Sequence, residues 1–179
     1  MNKNTFAIKD WYVPEKKLYV ATDCIIFGFD EGILKLLVFE RRIEPFKGVL
    51  SLIGSFVKPN ETANNAARRV LKETTGLDNI FMEELKTYSE VERDPGARCI
   101  SIANYALIRI EESDIALVEK HDASWHKVDK LPNLVLDHNI MVKDALDRLR
   151  EKARFYPIGF ELLPKKFTIP QLQTNNYCH

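Results

Sequence analysis

Residues Ser55 to Leu77, SFVKPNETANNAARRVLKETTGL, constrain the fold more than any other stretch of this 179-residue chain. A loop leads into a helix read over Thr62–Thr75, and Gly76 stands where helices commonly end in a left-handed residue. Ala63, Ala66, Ala67, Val70, Leu71 and Thr74 recur at helical spacing and give that helix a stripe of small side chains. The bland reading of Val70 is a core residue that widens this stripe. A strand read over Val49–Val57 runs straight into the loop, so strand, loop and helix form one unit.

The remaining segments supply a sheet and a second helical layer. Leu18–Phe29 and Ile33–Phe39 are β-rich and flank the turn signal Asp30-Glu31-Gly32, which makes them a hairpin. Phe81–Glu92 and Cys99–Ile110 are further strands, joined through the turn Arg93-Asp94-Pro95-Gly96. Ser113–His121 reads as a short helix and Ala123–Val128 as a last strand. Asp137 can cap a helix over Asn139–Ala153, whose Val142, Ala145, Leu146, Leu149 and Ala153 form one apolar face. Strands mixed with two long helices predict an α+β fold, a helix–sheet–helix sandwich.

Charge and composition exclude several classes. The 26 basic and 26 acidic residues cancel, so the chain lacks the basic surplus of a free-standing nucleic-acid binder. No apolar run suits a signal peptide or a membrane span, and the cytoplasm is the default reading. Cys24 and Cys99 lie in apolar strand-like runs and read as buried thiols. His121 and His126, five apart, do not make a metal pair.

Laid on the pattern G-x5-E-x7-R-E-U-x-E-E-x-G-U, where U is a bulky apolar residue, Glu61, Arg69, Leu71, Glu73 and Gly76-Leu77 fall in register. The stretch thus resembles the Nudix box. The resemblance implies a Nudix-type sandwich with a mixed sheet, in which three helix glutamates on one face hold Mg²⁺. Here those positions are Val70, Glu73 and Thr74, and the opening glycine is Ser55. Mg²⁺ takes hard anionic oxygens in near-octahedral array, which a valine and a threonine do not supply. The box is read as degenerate at Glu61, Arg69, Val70, Glu73 and Thr74, with no cofactor and no metal. If any metal bound, Glu61 and Glu73 would hold it. Two roles stay open for Glu61, metal ligand or brace between loop and helix.

Arg93-Asp94-Pro95 with Arg98, Ser101 and Tyr105 resembles a segment of the ADP-ribose pyrophosphatase branch, as do Ala123-x-Trp125, Leu131-Pro132 and Leu136-Asp137-His138. Pro157-x-x-Phe160-x-Leu162-Leu163-Pro164 and Phe167-Thr168 extend the likeness to the Nudix-related transcriptional regulators, in which a Nudix sensor precedes a winged helix. That resemblance implies a small-molecule partner, a sugar such as a pentose or a nucleotide-sugar such as ADP-ribose. Arg41, Glu44, Arg93, Asp94, Arg98 and Asp137 are the expected ligand-binding residues, placed around a pocket beside the box helix. Each of Arg93, Asp94 and Arg98 can equally brace its turn, and Asp137 can cap its helix.

The chain divides into an arm over 1–16, a Nudix-like domain over 17–156, and over 157–179 a linker with the truncated start of a winged helix, announced by Thr168-Ile169-Pro170-Gln171. The resulting reading is a homodimeric effector sensor of a transcriptional regulator, with DNA reached only through the missing winged helix and no membrane partner. The alternative is an active Mg²⁺-dependent hydrolase of ADP-ribose-type nucleoside diphosphate derivatives, drawing carboxylates from Glu90, Glu92 or Asp94.

Overall fold

The structure, a computed structural model, describes residues 18–42 and 44–155. The expected arm over 1–16 and winged-helix start over 157–179 lie outside the described residues. Strand β1 (Tyr19–Asp30) turns at Glu31 and Gly32 into β2 (Ile33–Glu40), and the two pair antiparallel as expected. Both turn residues are left-handed, with φ of 47° and 80°, as the tightest hairpin turns require.

One expected strand is two. The run over 49–57 divides into β3 (Leu50–Ser51), paired with β2, and β4 (Ile53–Phe56), paired with β1. Leu52 between them sends its N–H to the imidazole Nδ1 of His138 instead of to a neighbouring strand. Helix α1 (Ala63–Thr75) follows. Then come β5 (Glu83–Tyr88), β6 (Cys99–Arg109), α2 (Glu112–Lys120), β7 (Ala123–Lys127) and α3 (His138–Phe155). The sheet is mixed: β6 runs parallel to β1 along most of its length, and the other pairings are antiparallel.

Alternation along β1 sorts the core into two layers. Cys24 and Ile26 point to one face and pack with Ala67, Val70 and Leu71 of α1 and Val118 of α2. Ile25 and Phe27 point to the other and pack with Met141, Val142, Ala145 and Leu149 of α3. A strand covered on both faces reads as a continuous apolar run, which is what Cys24-Ile25-Ile26-Phe27 is. The expected sandwich is therefore the observed one.

Helix α1 is closed at both ends by its own sequence. Thr62 Oγ1 accepts the Asn65 N–H, and Gly76 takes up φ of 76° while its N–H reaches the Lys72 carbonyl. Its buried face is Ala66, Ala67, Val70, Leu71 and Thr75, so Thr75 takes the place expected of Thr74, which is half-buried. Thr75 satisfies its hydroxyl on the Leu71 carbonyl. On α3 the buried face begins earlier than expected, at His138 and Met141, and Ala153 is exposed.

Gly32 and Gly76 share a left-handed φ but not their surroundings. A Cβ on Gly32 meets nothing, whereas one on Gly76 would lie 2.8 Å from Leu117 and His121 side-chain atoms. Gly76→Ala is expected to cost more stability than Gly32→Ala, which carries only the backbone term of roughly 1 kcal/mol. Denaturant unfolding checks this, and equal losses would mean that α2 yields freely at that contact.

Candidate functional site

The loop ahead of α1 is held by one guanidinium. Arg69 Nε and Nη2 donate to the two carboxylate oxygens of Glu61 at 2.9 and 2.6 Å, Nη1 donates to Glu73 at 3.0 Å, and Nη2 also reaches the Phe56 carbonyl at 3.2 Å. Glu61 Oε1 additionally accepts the Lys58 N–H at 2.8 Å. The hydrogen bond from Arg69 and then that from Lys58 lower the Glu61 pKa to about 2. Glu61 is therefore a brace from helix to loop.

That arrangement leaves a poor donor set for a divalent cation. Val70 is buried in the core under β1, Thr74 offers a neutral hydroxyl, and both remaining carboxylates are paired with Arg69. Among the described residues, no group of three or more His, Cys, Asp or Glu side chains could hold a metal ion. The residues present do not fit Mg²⁺ at the box.

A second polar constellation lies on the opposite face of the sheet, at the start of α3. Asp23, in the middle of β1, is 6% exposed. Its carboxylate accepts from Ser101 Oγ at 2.5 Å and stands 3.8 Å from Arg93 Nη2 and 3.7 Å from His138 Nε2. Arg93, whose side chain is 3% exposed, donates bidentately to Asp137 at 2.9 and 2.8 Å. A Cβ on Gly54, the cross-strand partner of Asp23, would collide with the Asp23 carboxylate, so glycine makes the room.

The His138 tautomer follows from its partners. A backbone N–H can only donate, so Nδ1 carries the lone pair that accepts from Leu52 at 3.1 Å, and Nε2 carries the proton facing Asp23. Burial lowers the His138 pKa, against the charges of Asp23 and Asp137, which raise it. The ring is neutral near pH 7.

The family model for the NUDIX domain matches residues 17–145. This chain belongs to the Nudix family. It is 28% identical over 158 residues to the ADPR responsive transcriptional repressor NtrR of Acinetobacter baylyi, covering 86% of this chain and 63% of the repressor. The chain thus spans less than two thirds of that relative's length. It is 34% identical over 139 residues to an ADP-ribose pyrophosphatase of Methanocaldococcus jannaschii, covering 78% of this chain and 82% of the enzyme. The crystal structure of Shewanella oneidensis NrtR superposes with a TM-score of 0.80 at 25% identity, over 89% of this chain and 77% of that one. The Nudix domain of NrtR in a cocrystal with ADP ribose gives 0.66 at 27% identity, over 77% and 94%.

The Nudix fold distributes the expected ligand residues unevenly. Arg93 and Asp137 come together on the α3 face, so they do not line a pocket beside the box helix, which covers the other face. Asp137 caps α3 with its backbone carbonyl, which accepts the Met141 N–H, while its carboxylate is given to Arg93 and not to the helix. Asp94 Oδ1 closes its turn on the Gly96 N–H, and Arg98 Nη1 holds the carbonyls of Glu90 and Cys99. Arg41 Nε donates to the Pro45 carbonyl inside its own loop, where Glu44 is exposed. A surface groove of about 370 Å³ among Glu40, Arg42, Glu119, Asp122, Ala123 and Ser124 contains none of them.

Asp23, Ser101 and His138 were not singled out as site residues from the sequence. The signal for Asp23 is present in hindsight: a carboxylate inside Val20–Phe29, a run otherwise almost wholly apolar, demands buried partners.

Two measurements test this description. Because the His138 pKa is depressed, the unfolded chain binds more protons, so this group's stability is complete above about pH 6.5 and falls as pH drops below it. His138→Gln is expected to be less stable at pH 7 yet to show a shallower loss between pH 6.5 and 5 in urea titrations. An unchanged slope would place the acid sensitivity elsewhere. Val70→Glu puts an unpaired carboxylate into the core and is expected to cost about 3 kcal/mol or more, with Thr74→Glu costing far less. Similar unfolding midpoints for the two variants would show that the face under Val70 opens to water.

Proposed function

We propose that this chain is the ligand-sensing Nudix domain of a transcriptional regulator, its box used as scaffold, and that its ligand is ADP-ribose or a close relative. One observation carries this reading: the box helix buries Val70 where the family pattern has a carboxylate, and Arg69 occupies the two glutamates that remain. Metal-activated attack requires a held cation and a positioned water, and this helix offers a source of neither. ADP-ribose occurs in the names of both curated relatives, one a repressor responsive to it and the other an enzyme acting on it.

Arg98 and Arg41 are the half-buried arginines of the expected set, and a guanidinium grips a diphosphate through paired N–H donors. Asp94 and Glu44 would accept hydroxyl protons of the sugar, while the buried Arg93–Asp137 pair would hold the turn that carries Asp94 and Arg98. The sensor acts as a homodimer, and DNA is contacted by a winged helix following the domain. Kinship with the pyrophosphatase favours a second reading, Mg²⁺-dependent hydrolysis, which the same assay addresses.

Thermal unfolding with ADP-ribose, arabinose, xylose and ribose, each with and without EDTA, tests the proposal. At 100 times its dissociation constant a ligand adds about 2.7 kcal/mol of stability. A shift with ADP-ribose that survives EDTA, without phosphate-bond cleavage, is the expected result. Turnover of roughly 1 per second or more with Mg²⁺ would establish the hydrolase instead, and a shift with a pentose alone would change the ligand class.

A further inference from the structure

We propose that His138 is a positioning residue for the ligand: its neutral ring joins the loop that carries Arg41 and Glu44 to the turn that carries Asp94 and Arg98, and a proton on the ring opens that joint. The inference rests on the sensor reading for the ligand itself. On one side the joint reaches the loop through β3. The Arg41 N–H donates to the Val49 carbonyl at 3.1 Å and the Gly48 N–H to the Arg41 carbonyl at 2.8 Å, so the loop closes on the start of β3. The strand break that follows is tied twice to the entry of α3. The Val135 N–H donates to the Leu50 carbonyl at 3.0 Å, and the Leu52 N–H to His138 Nδ1 at 3.1 Å. On the other side Nε2 lies 3.7 Å from Asp23, whose carboxylate also faces Arg93, and Arg93 holds Asp137, the residue before His138. Asp94 follows Arg93 in its turn.

The joint depends on the charge of the ring because Nδ1 serves it as an acceptor. A proton on Nδ1 sets two donors against each other, and Leu52 is fully buried, so its N–H has no water to turn to. Ser51 Oγ, 3.4 Å from Nδ1, is the acceptor left for the new proton, so the ring changes partner and Leu52 is released. At the same time the cationic ring attracts Asp23 in competition with Arg93. Loop side and turn side therefore change together. The surroundings set the pH at which they do. Burial opposes the cation most, Asp23 of β1 and Asp137 beside the ring favour it, and Arg93 of the β5–β6 turn and Arg41 just past β2 add to the opposition. Their balance leaves the ring neutral near pH 7 and brings the proton on in acid, below the ordinary histidine value of 6.5.

Two-dimensional NMR of the full chain, titrated downward from about pH 7.5 without ligand, reads the joint directly. The amides of Leu52 and Gly96 are expected to shift with the same midpoint as the His138 ring. Calorimetry with ADP-ribose, whose diphosphate diester keeps its charge over this range, is expected to show affinity falling roughly 10-fold by about one pH unit below that midpoint, the limit when only the neutral form binds. His138→Asn keeps an acceptor near the Nδ1 position and takes up no proton, so it should make the affinity independent of pH. His138→Leu, which has no acceptor, should bind weakly at every pH. A Leu52 or Gly96 amide that ignores the ring titration overturns the joint. So does an affinity that stays flat in the native chain, a pH dependence that persists in His138→Asn, or equal weakening by Asn and Leu. If the native chain binds no ADP-ribose at neutral pH while both amides still follow the ring, the sensor reading for that ligand falls and the joint stands.

Discussion

The carboxylate of Asp23 in the central strand is the constraint around which the α3 side of this domain is arranged. An ionised group in a strand covered on both faces is costly unless partners surround it. Four segments supply them: β6 gives Ser101, the β5–β6 turn gives Arg93, the start of α3 gives His138, and β4 gives space at Gly54. Asp137 then accepts from Nε and Nη2 of Arg93, the Nη2 being also the atom that faces Asp23. Removing one partner would strand a buried charge, so these segments are fixed together. The split between β3 and β4 follows, because Leu52 leaves the ladder to bond His138.

The same physical logic operates on the other face, closer to solvent. Arg69 gathers Glu61, Glu73 and the Phe56 carbonyl, joining helix, loop and the end of β4. In both places a guanidinium is the organising cation, and its planar fork satisfies several oxygens at once. At the box this leaves the glutamates neutralised by protein. Because Phe56 ends β4, the brace also fixes that strand end, whose ring lies against that of Tyr19.

How much could be read from the sequence differs between these faces. The α1 unit was legible because its determinants are local: Thr62 and Gly76 mark the ends, and apolar spacing marks the buried side. Even so, the stripe was displaced by one position at Thr74 and Thr75, since a 3.6-residue period leaves the edge of a face ambiguous. The ligand set was legible only as residue types. Arg93 and Asp137 are 44 residues apart, and nothing in either segment shows that they form a buried pair.

The sequence by itself determined the family, the order of strands and helices, and the loss of two carboxylates from the box helix, because each is written in short-range pattern. Tertiary structure decided which face each polar residue serves. It turned Asp137 from a side-chain cap into the partner of Arg93, placed that pair across the sheet from α1, and surrounded Asp23 with groups from four segments. It also left Tyr19 and Phe56 in contact and half-exposed. Such outcomes depend on strand register and on where α3 begins, and a register shift of one residue in β1 would send Asp23 and Tyr19 to the other layer.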